Sequence, residues 1–479
     1  MENLKFLKTE EAKKINQTAV EILEKVGVRV KSEKVRKLLL DFGAKVENNS
    51  DIVKIPPSLT ENSIKTAPKK VVYGALNKED DLILEDNGKI FTRPLTGAEG
   101  YIDIETGEYR LTKLKDVEDW IRLVDALDNI SYVSVPYPND VRTDIRDIQL
   151  TQLMFENTKK HIEIQPYNGK NLEYIIEMAL AVMGSKSELK ERPIVTTLTS
   201  SLAPMQYLEY STDVLTISGK YGIPVELTPM PIAGATGPVT VAGLVTMTLA
   251  EALGGIVISQ VANPGAPIVF RPNQLFLDMS TSIALQGAAE DALIAALGTQ
   301  IVKEHWGIPV NVFGPVTDSL IMDEQSITER VFNAIIPALC GANIISGAGM
   351  LEHCYTVDPV QLVIDDDIYG MLFRVINGVL VNEETIGLDA IIRTKPGGNF
   401  LMDEHTLKYF KSEYFQPKTF YRKARAIWNS EGKKTAGRTA KERLKSILKD
   451  HWPSPIDSNI KKELELIMRR AANEIPRLH

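Results

Sequence analysis

The stretch "IPVELTPMPIAGATGPVTVAGLVTMTLAEALGGIVISQVANPGAPIVF", residues 223–270, contains two short β-rich runs separated by a long apolar segment. Each run is about the length of a strand, and the apolar segment between them is long enough for a helix. A strand, a helix and a second strand in this order predict a parallel βα unit, which is the building block of an α/β fold.

The turn inside this stretch, "PIAGATGPVTVAG" at 231–243, holds three glycines, two prolines and two threonines. A segment with so many glycines and so few large side chains has two interpretations. Either the run is a tight strand-to-helix connection, or another molecule approaches the backbone closely. The sequence leaves both open.

The apolar segment 240–262 has the length and composition of a membrane span. It nevertheless contains Glu251 and a Gly-Gly pair, and Pro264 and Pro267 follow it closely. These features favour a buried helix that runs into a strand.

Similar β-rich runs recur along the chain at spacings of roughly 30–45 residues, with helix-like stretches between them. They begin near residues 131, 161, 193, 223, 267, 309 and 343, and they read "SYVSVPY", "HIEIQPY", "PIVTTLT", "IPVELTP", "PIVFRPN", "PVNVFGP" and "NIISGAG". An eighth strand is placed at "NFLM", 399–402. Eight βα units over 131–402 predict a (β/α)8 TIM-type barrel, with a doubly wound open sheet as the runner-up.

The flanking segments have a different character. Residues 1–130 predict an N-terminal extension of helices (over 9–27, over 32–43 and from near Thr112) and small β pieces, packed on the barrel. Residues 403–479 are charged and amphipathic, and they predict terminal helices lying on the barrel or on a partner subunit.

Composition excludes several classes of protein. The 479 residues are 44% hydrophobic and 25% charged, with a net charge of −8 and no basic runs, which argues against nucleic acid as the main ligand. The charged start lacks the apolar core of a signal peptide. Two cysteines, Cys340 and Cys354, fit a reducing cytoplasm.

In a barrel of this type the active site lies at the carboxyl ends of the strands. The residues there are rich in aromatics, glycine and proline and short of general acids and bases, which suits catalysis by positioning. They comprise Pro136, Tyr137, Asn139, Gln165, Tyr167, Thr199, Ser200, Glu226, Pro229, Met230, Phe270, Arg271, Asn273, Phe313, Gly314, Gly347, Gly349, Met350 and His353.

Other types of site fit less well. Cys340, His353 and Cys354 do not have zinc-ligand spacing, and "SGAGMLE" is a lone G-x-G without a third glycine. "IDDDIYG", 364–370, is interpreted as a solvated helix start rather than a cation site. "EHCYT", 352–356, is either a ligand-holding segment or a loop with a satisfied histidine.

Four long stretches resemble the trimethylamine methyltransferase superfamily, and the resemblance covers nearly the whole chain. They are the segment from 231 to 270, "ALCGANIISGAGMLEHCYTVDPVQLVIDD", "KPGGNFLMDEHTLKYF" and "ETGEYRLTKLKDVEDWIRLVDALDNI". Founding members carry pyrrolysine in the barrel and demethylate trimethylamine. This chain has only standard residues, so it resembles the branch without pyrrolysine.

That resemblance implies a cytoplasmic enzyme that demethylates a quaternary amine and passes the methyl group to Co(I) of a separate corrinoid protein. Glycine betaine is the first choice of substrate, and proline betaine, carnitine and γ-butyrobetaine are the alternatives. It also implies a homo-oligomer, with no metal bound by this chain and no nucleic-acid or membrane partner. A quaternary nitrogen leaves as a neutral amine, so no general acid is needed, and the cofactor carries the hard chemistry.

Roles for individual residues follow from this reaction. The aromatic faces available for the ammonium are Tyr137, Tyr167, Phe270, Phe313 and Tyr355, although packing remains the alternative for each. Arg271 is the candidate partner of a betaine carboxylate, and His353 and Glu226 are positioning residues. The glycines that would let a corrinoid ring approach are Gly234, Gly237, Gly347, Gly349, Gly397 and Gly398, with tight turns as the alternative role.

Two hypotheses from other classes remain. A metal- or Schiff-base-dependent barrel lyase requires a metal triad or a lysine near a strand end, and neither is found. A non-catalytic quaternary-amine binding protein would bind the ligand without transferring a methyl group.

Overall fold

The computed structural model describes residues 3–47, 50–453 and 456–477, and its architecture is α/β with parallel sheets, as predicted. The elements before residue 90 are α1 (Thr9–Lys25), β1 (Val28–Val30), α2 (Glu33–Asp41), β2 (Lys45–Val46), β3 (Ile52–Lys54), α3 (Pro57–Thr66), β4 (Val71–Tyr73), a 3-10 turn (Lys78–Asp80) and β5 (Leu82–Leu84). The next elements are β6 (Phe91–Pro94), β7 (Gly100–Ile102), β8 (Tyr109–Leu111), α4 (Leu114–Ala126), a 3-10 turn (Thr143–Ile145) and α5 (Arg146–Asn157). The helices predicted over 9–27, over 32–43 and from near 112 are therefore confirmed as α1, α2 and α4.

Alternating strands and helices fill the middle of the chain. They are β9 (Ile162–Ile164), α6 (Gly169–Met183), α7 (Lys186–Glu191), β10 (Val195–Thr199), β11 (Gln206–Tyr207), α8 (Glu209–Tyr221), β12 (Val225–Leu227), β13 (Ile232–Ala233), α9 (Val241–Ala262), β14 (Ile268–Phe270), β15 (Leu275–Asp278), β16 (Ile283–Leu285), α10 (Ala289–His305), β17 (Asn311–Phe313), α11 (Glu324–Leu339), β18 (Ile344–Ala348), β19 (Met350–Leu351), a 3-10 turn (Glu352–Cys354), β20 (Thr356–Val357) and α12 (Pro359–Ile376). The C-terminal helices are α13 (Glu383–Ile386), α14 (Leu388–Thr394), α15 (Glu404–Tyr409), α16 (Arg425–Ser430), α17 (Ala436–Asp450) and α18 (Ser458–Glu474).

Two parallel sheets carry six of the seven strands predicted from the β-rich runs between 131 and 343, and the run at 131 forms only an isolated bridge at Val133. One has the order β14-β12-β10-β9 and the other the order β17-β18-β6. Single pairings connect them: Phe270 with Val310 at one junction and, at the other, Val133 with Ile162. The Ser131 N–H donates to the Thr92 carbonyl at 2.9 Å, which ties the 131–135 run to β6.

The eighth strand predicted at 399–402 is wrong. These residues form no strand, and Leu401 and Met402 are 77% and 82% exposed. The position beside β18 is filled instead by β6, whose Thr92 pairs with Ile345 in a parallel register. Because the β7–β8 hairpin separates β6 from its helix α4, the strand-to-helix rhythm is interrupted there and the sequence pattern missed it.

The prediction that the acidic run at 364–370, within α12, is a solvated helix start is also wrong. Asp365–Asp367 lie in the middle of the helix and are buried, because α11 and α17 cover it. Asp365 accepts from Arg330 at 2.9 Å, Asp366 from Arg443 at 3.0 Å and Asp367 from the Thr419 N–H at 2.6 Å. The helix begins earlier, at Pro359, so these carboxylates anchor neighbouring elements.

Helix α9 is a core helix. It is long and apolar enough to cross a membrane, but 72% of its most apolar window is buried inside the fold. Its Gly-Gly pair explains the close packing on both sides. A Cβ on Gly255 would lie 2.6 Å from side-chain atoms of both Leu227 and Tyr207, and one on Gly254 would lie 3.0 Å from Val28.

This packing predicts that Gly255→Ala destabilises the fold although alanine is the better helix former. Overpacking costs about 1–3 kcal/mol, against a gain of about 1 kcal/mol in helix propensity. Gly298 in α10 is the matched control, because a Cβ there meets Phe270 at an ordinary 3.6 Å. Denaturant unfolding should show Gly298→Ala stabilised and Gly255→Ala destabilised, and a stabilised Gly255→Ala would contradict the close packing.

Candidate active site

Three parallel strands each place a polar residue between apolar neighbours, in the interior that the two sheets share. Glu163 lies in "IEI" of β9, Glu226 in "VEL" of β12 and Asn311 in "VNV", 310–312, at β17. All three side chains are fully buried. Since successive residues of a strand face opposite ways, the apolar neighbours pack on the helices while these polar groups meet inside.

Glu226 is the most completely partnered of these groups. Its Oε1 accepts from the hydroxyls of Tyr73 and Tyr132, both at 2.9 Å, and its Oε2 accepts from Asn311 Nδ2, also at 2.9 Å. Arg271 Nη1 lies 3.4 Å from Oε2. Tyr73 belongs to β4 in the N-terminal extension, so the extension contributes directly to this interior.

Glu163 is held between two buried arginines. Arg93 Nε lies 2.9 Å from its Oε2, and Arg271 Nη1 lies 3.5 Å from its Oε1. The guanidinium groups of Arg93 and Arg271 and the carboxyl groups of Glu163 and Glu226 therefore form one charge network. Burying single charges costs several kcal/mol each, and a network of alternating sign is the arrangement that offsets this cost.

The two carboxyl groups of the network have opposite pKa shifts. Burial raises the pKa of Glu163 to about 7; Arg93 and Arg271 oppose this shift, and the nearby charge of Glu226 adds to it. Burial also acts to raise the pKa of Glu226, but Arg271, Arg93 and the tyrosine donors outweigh it, so that pKa lies below its usual range. Of the two carboxyl groups, Glu163 is therefore the one that holds a proton below about pH 7.

Arg271 connects this network to the carboxyl ends of the strands. It directly follows β14, and its guanidinium lies 4.9 Å from the ring centroid of Phe313. The side chain is 2% exposed and turns inward to the two glutamates instead of reaching over the outer rim. Its Nε is buried and finds no hydrogen-bond partner among the residues that the structure describes.

The turn 352–354 is backbone-strained. Glu352, His353 and Cys354 have φ values of +52°, +51° and +74°, a left-handed conformation that non-glycine residues rarely adopt. His353 Nδ1 lies 2.5 Å from Asp318 Oδ1, and Cys354 Sγ donates to Gln286 Oε1 at 2.6 Å. Such strain persists only where surrounding contacts hold it, and it is typical of functional sites.

Like Phe313 beside Arg271, the predicted aromatic faces of Tyr137 and Tyr167 already contact a cation of the protein itself. Tyr137 and Tyr167 form an edge-to-face pair with ring centroids 6.3 Å apart. The guanidinium of Arg146 lies 4.5 Å from the Tyr137 centroid, and its Nε donates to the Tyr167 hydroxyl at 2.6 Å. Gly97 approaches the Tyr137 ring as well, so little of this ring is open to a ligand.

Neither Phe270 nor Tyr355 contributes its ring to the interior that holds the charge network. The Phe270 ring packs edge-to-face on Trp306, at 5.7 Å, against the helix layer. As the last residue of its strand it faces away from the interior, while Arg271 faces in. Tyr355 is 70% exposed on the rim.

The predicted glycines have different roles. Gly347 has φ +113° at a register shift in β18, and a Cβ on it would lie 3.4 Å from Phe313. Gly234 has φ +84° and closes a turn by donating to the carbonyl of Gly237. The other positions serve local packing or exposed turns: a Cβ at Gly237 would meet Leu244, one at Gly349 would meet Trp120, and Gly397 and Gly398 lie in the exposed turn after α14.

Most of the charge network was not predicted, because the candidate site residues were those that follow each strand. Glu163 and Asn311 sit at mid-strand, and an isolated polar residue at the same place in several apolar runs was the available signal. Arg93 had no such signal, because its strand was not recognised. Tyr73 belongs to the β4–β5 hairpin of the N-terminal extension, so it had no signal in the strand-and-helix pattern.

The pKa of Glu163 predicts how stability depends on pH. Its pKa is about 7 in the folded chain and 4.5 ordinarily, so the folded state holds more protons between these values. The free energy of unfolding that this group contributes should therefore fall as pH rises from about 4.5 to about 7. Denaturant titrations of the wild type and Glu163→Gln at several pH values should show the wild type losing its relative stability across this window.

Glu226→Gln provides the contrast. Since the pKa of Glu226 is lowered, its contribution is present above the ordinary pKa of 4.5 and is lost only as pH falls below it. Identical pH curves for the two variants would contradict the assignment of the proton to Glu163.

Comparison with known proteins agrees with the sequence resemblance. A model of the trimethylamine methyltransferase (MTTB) family matches residues 1–476. The trimethylamine methyltransferase MttB of Desulfitobacterium hafniense is 32% identical over 466 residues, covering 97% of this chain and 93% of that protein. The trimethylamine methyltransferase MttB of Methanosarcina barkeri is 30% identical over 473 residues, covering 98% of this chain and 95% of that protein. The glycine betaine methyltransferase of Desulfitobacterium hafniense is 28% identical over 473 residues, covering 98% of both chains. The chain therefore belongs to the trimethylamine methyltransferase family.

Proposed function

We propose that this methyltransferase takes a methyl group from a quaternary amine, with glycine betaine as the first choice, and transfers it to Co(I) of a separate corrinoid protein. Family membership supports the reaction class, and the glycine betaine methyltransferase among the relatives supports the substrate class. The single observation that favours a betaine is Arg271, a buried guanidinium beside the Phe313 ring whose Nε has no hydrogen-bond partner in the described part of the chain. Proline betaine, carnitine and γ-butyrobetaine share both groups with glycine betaine and remain the alternatives.

We also propose that the parallel strands form one closed (β/α)8 barrel. The pairings between β14 and the run into β17, and from β6 through 131–135 to β9, support closure. On this proposal the barrel runs from 91 to 376 rather than from 131 to 402, with an N-terminal extension before it and the helical segment after it.

A betaine suits the charges of this interior. Below about pH 7, where Glu163 is protonated while Glu226 and both arginines are charged, the network carries one excess positive charge. A substrate carboxylate on Arg271 would balance it through a charge-assisted hydrogen bond. The Phe313 ring, next to that guanidinium, would contact the ammonium, at about 0.5–2 kcal/mol for a cation on an aromatic face.

The proposed reaction requires no proton transfer. The electron pair of Co(I) forms the new bond to carbon, and the carbon–nitrogen pair stays on nitrogen, which leaves as a neutral tertiary amine. The task of this chain is to align one N–CH₃ bond and exclude water, and such positioning can supply about 7–11 kcal/mol of the barrier. His353, fixed by Asp318 in the strained turn, is proposed as a positioning residue at the rim.

The corrinoid is proposed to approach over the carboxyl ends of the strands. Gly347 and Gly234 are retained as positions where a small residue keeps the approach open, and the other predicted glycines are not. Tyr137, Tyr167 and Tyr355 remain proposed wall and rim residues, whereas Phe270 is dropped. A cytoplasmic homo-oligomer that binds no metal of its own completes the proposal.

The direct prediction is that the purified chain and glycine betaine convert cob(I)alamin to methylcobalamin, with dimethylglycine formed in equal amount. The visible spectrum and product analysis measure both, against a panel of quaternary amines with trimethylamine as the contrast. A chelator should leave the rate unchanged. Activity on trimethylamine alone would contradict the substrate class, and tight betaine binding without transfer would favour a non-catalytic binding protein.

A second prediction separates the two halves of the substrate site. Arg271→Lys keeps the charge but loses the planar fork, so betaine binding should weaken by about 1.5–3 kcal/mol while choline, which lacks the carboxylate, loses much less. Phe313→Leu keeps apolar bulk but removes the ring face, so both ligands should weaken alike. Calorimetry on the three proteins measures this, with circular dichroism to verify folding. Equal losses of betaine and choline in Arg271→Lys would contradict the carboxylate role.

A third prediction uses the proton on Glu163. As pH rises through about 7, the ionised carboxylate competes for Arg271, so betaine affinity should fall while choline affinity rises. Calorimetry from pH 6 to pH 8 measures both, and Glu163→Gln should flatten both curves. Parallel pH curves for the two ligands would contradict this coupling.

A further inference from the structure

An exposed apolar surface follows α12, far from the proposed site. Within residues 379–407 the large apolar side chains are 43–82% exposed, and only Gly387 and Ala390 are buried. We call this surface the apolar platform, and it comprises Val379, Leu380, Val381, Ile386, Leu388, Ile391, Ile392, Phe400, Leu401, Met402 and Leu407. Soluble monomers rarely expose so many large apolar side chains in so short a stretch.

The platform is built as an ordered unit. Arg393 pairs with Asp403 at 3.0 Å, which ties α14 to α15. His405 Nε2 lies 3.1 Å from the Glu384 carbonyl, and Lys408 also pairs with Glu384, which ties α15 to α13. The three short helices are therefore fixed to one another while their apolar side chains face outward.

The platform lies away from the proposed corrinoid approach. The platform begins just after the C-terminal end of α12. Helix α12 follows β18 and runs from the carboxyl ends of the parallel strands toward their amino ends. The chain returns where Lys418 pairs with Asp128, just before the 131–135 run begins. Both attachments therefore lie near the amino ends of the strands.

We propose that the apolar platform is an interface with a second copy of this chain. At roughly 100 Å² for each such side chain, it offers on the order of 1,000 Å² of apolar surface, against about 800 Å² per partner in a standard stable interface. A two-fold arrangement would bury the platform of each copy against that of the other and leave both mouths free.

Other occupants fit less well. Residues 379–407 carry five acidic and two basic side chains, which disfavours an anionic lipid surface. A corrinoid protein must reach the opposite end of the strands. The proposal deepens the homo-oligomer part of the proposed function, and its exclusion of the corrinoid protein as occupant rests on the proposed reaction.

The test is the mass of the full chain in solution. Light scattering after size exclusion, over about 1–50 µM, should give at least twice the monomer mass for the wild type. Ile391→Glu/Leu401→Glu should reduce it to the monomer mass with unchanged circular dichroism. Val26→Glu/Leu466→Glu is the matched control at exposed apolar sites outside the platform, 58% and 53% exposed, and it should keep the wild-type mass.

Hydrogen exchange on the wild type gives a measurement that needs no variant. Amides of 379–407 should exchange faster on dilution to monomer, while those of α9 stay unchanged. A monomeric wild type would overturn both the homo-oligomer and this surface. An oligomer whose mass and exchange do not depend on the platform would overturn the surface alone, and a monomer that binds phosphatidylcholine–phosphatidylserine vesicles through it would identify a lipid occupant instead.

Discussion

The rest of this structure depends on two arginines and two glutamates that are buried together between parallel sheets. Each charge would cost several kcal/mol to bury alone. It is tolerated because Arg93 and Arg271 alternate with Glu163 and Glu226 at 2.9–3.5 Å. Since the groups come from β6, β9, β12 and the residue after β14, the strands must assemble together for any one charge to be satisfied.

The same charge network also fixes the position of Arg271 in the proposed substrate site. Within the described ranges, the two glutamates contact Arg271 through Nη1, and its Nε has no hydrogen-bond partner there. A guanidinium fixed in this way does not need to be ordered when a carboxylate binds, which reduces the entropic cost of binding. The Phe313 ring, whose centroid lies 4.9 Å from the Arg271 guanidinium, is the aromatic face proposed for the quaternary nitrogen.

The sequence predicts the α/β class, the six β-rich runs from 161 to 343 and the terminal helices, because burial periodicity and turn residues are local signals. It does not predict β6, since a hairpin separates that strand from its helix. It also misplaces Phe270 and Arg271, because one residue of register at a strand end exchanges the two faces. No local sequence pattern predicts the charge network, because Tyr73, Arg93 and Glu226 are far apart in the sequence and meet only in the folded chain.

The most direct test of the account is a crystal structure of the chain with glycine betaine bound. The account predicts the carboxylate within hydrogen-bond distance of Arg271 Nε and the ammonium against the face of Phe313, with one methyl group directed out of the barrel mouth. A betaine bound at the Tyr137–Tyr167 pair, with Arg271 still contacting only the two glutamates, would contradict it.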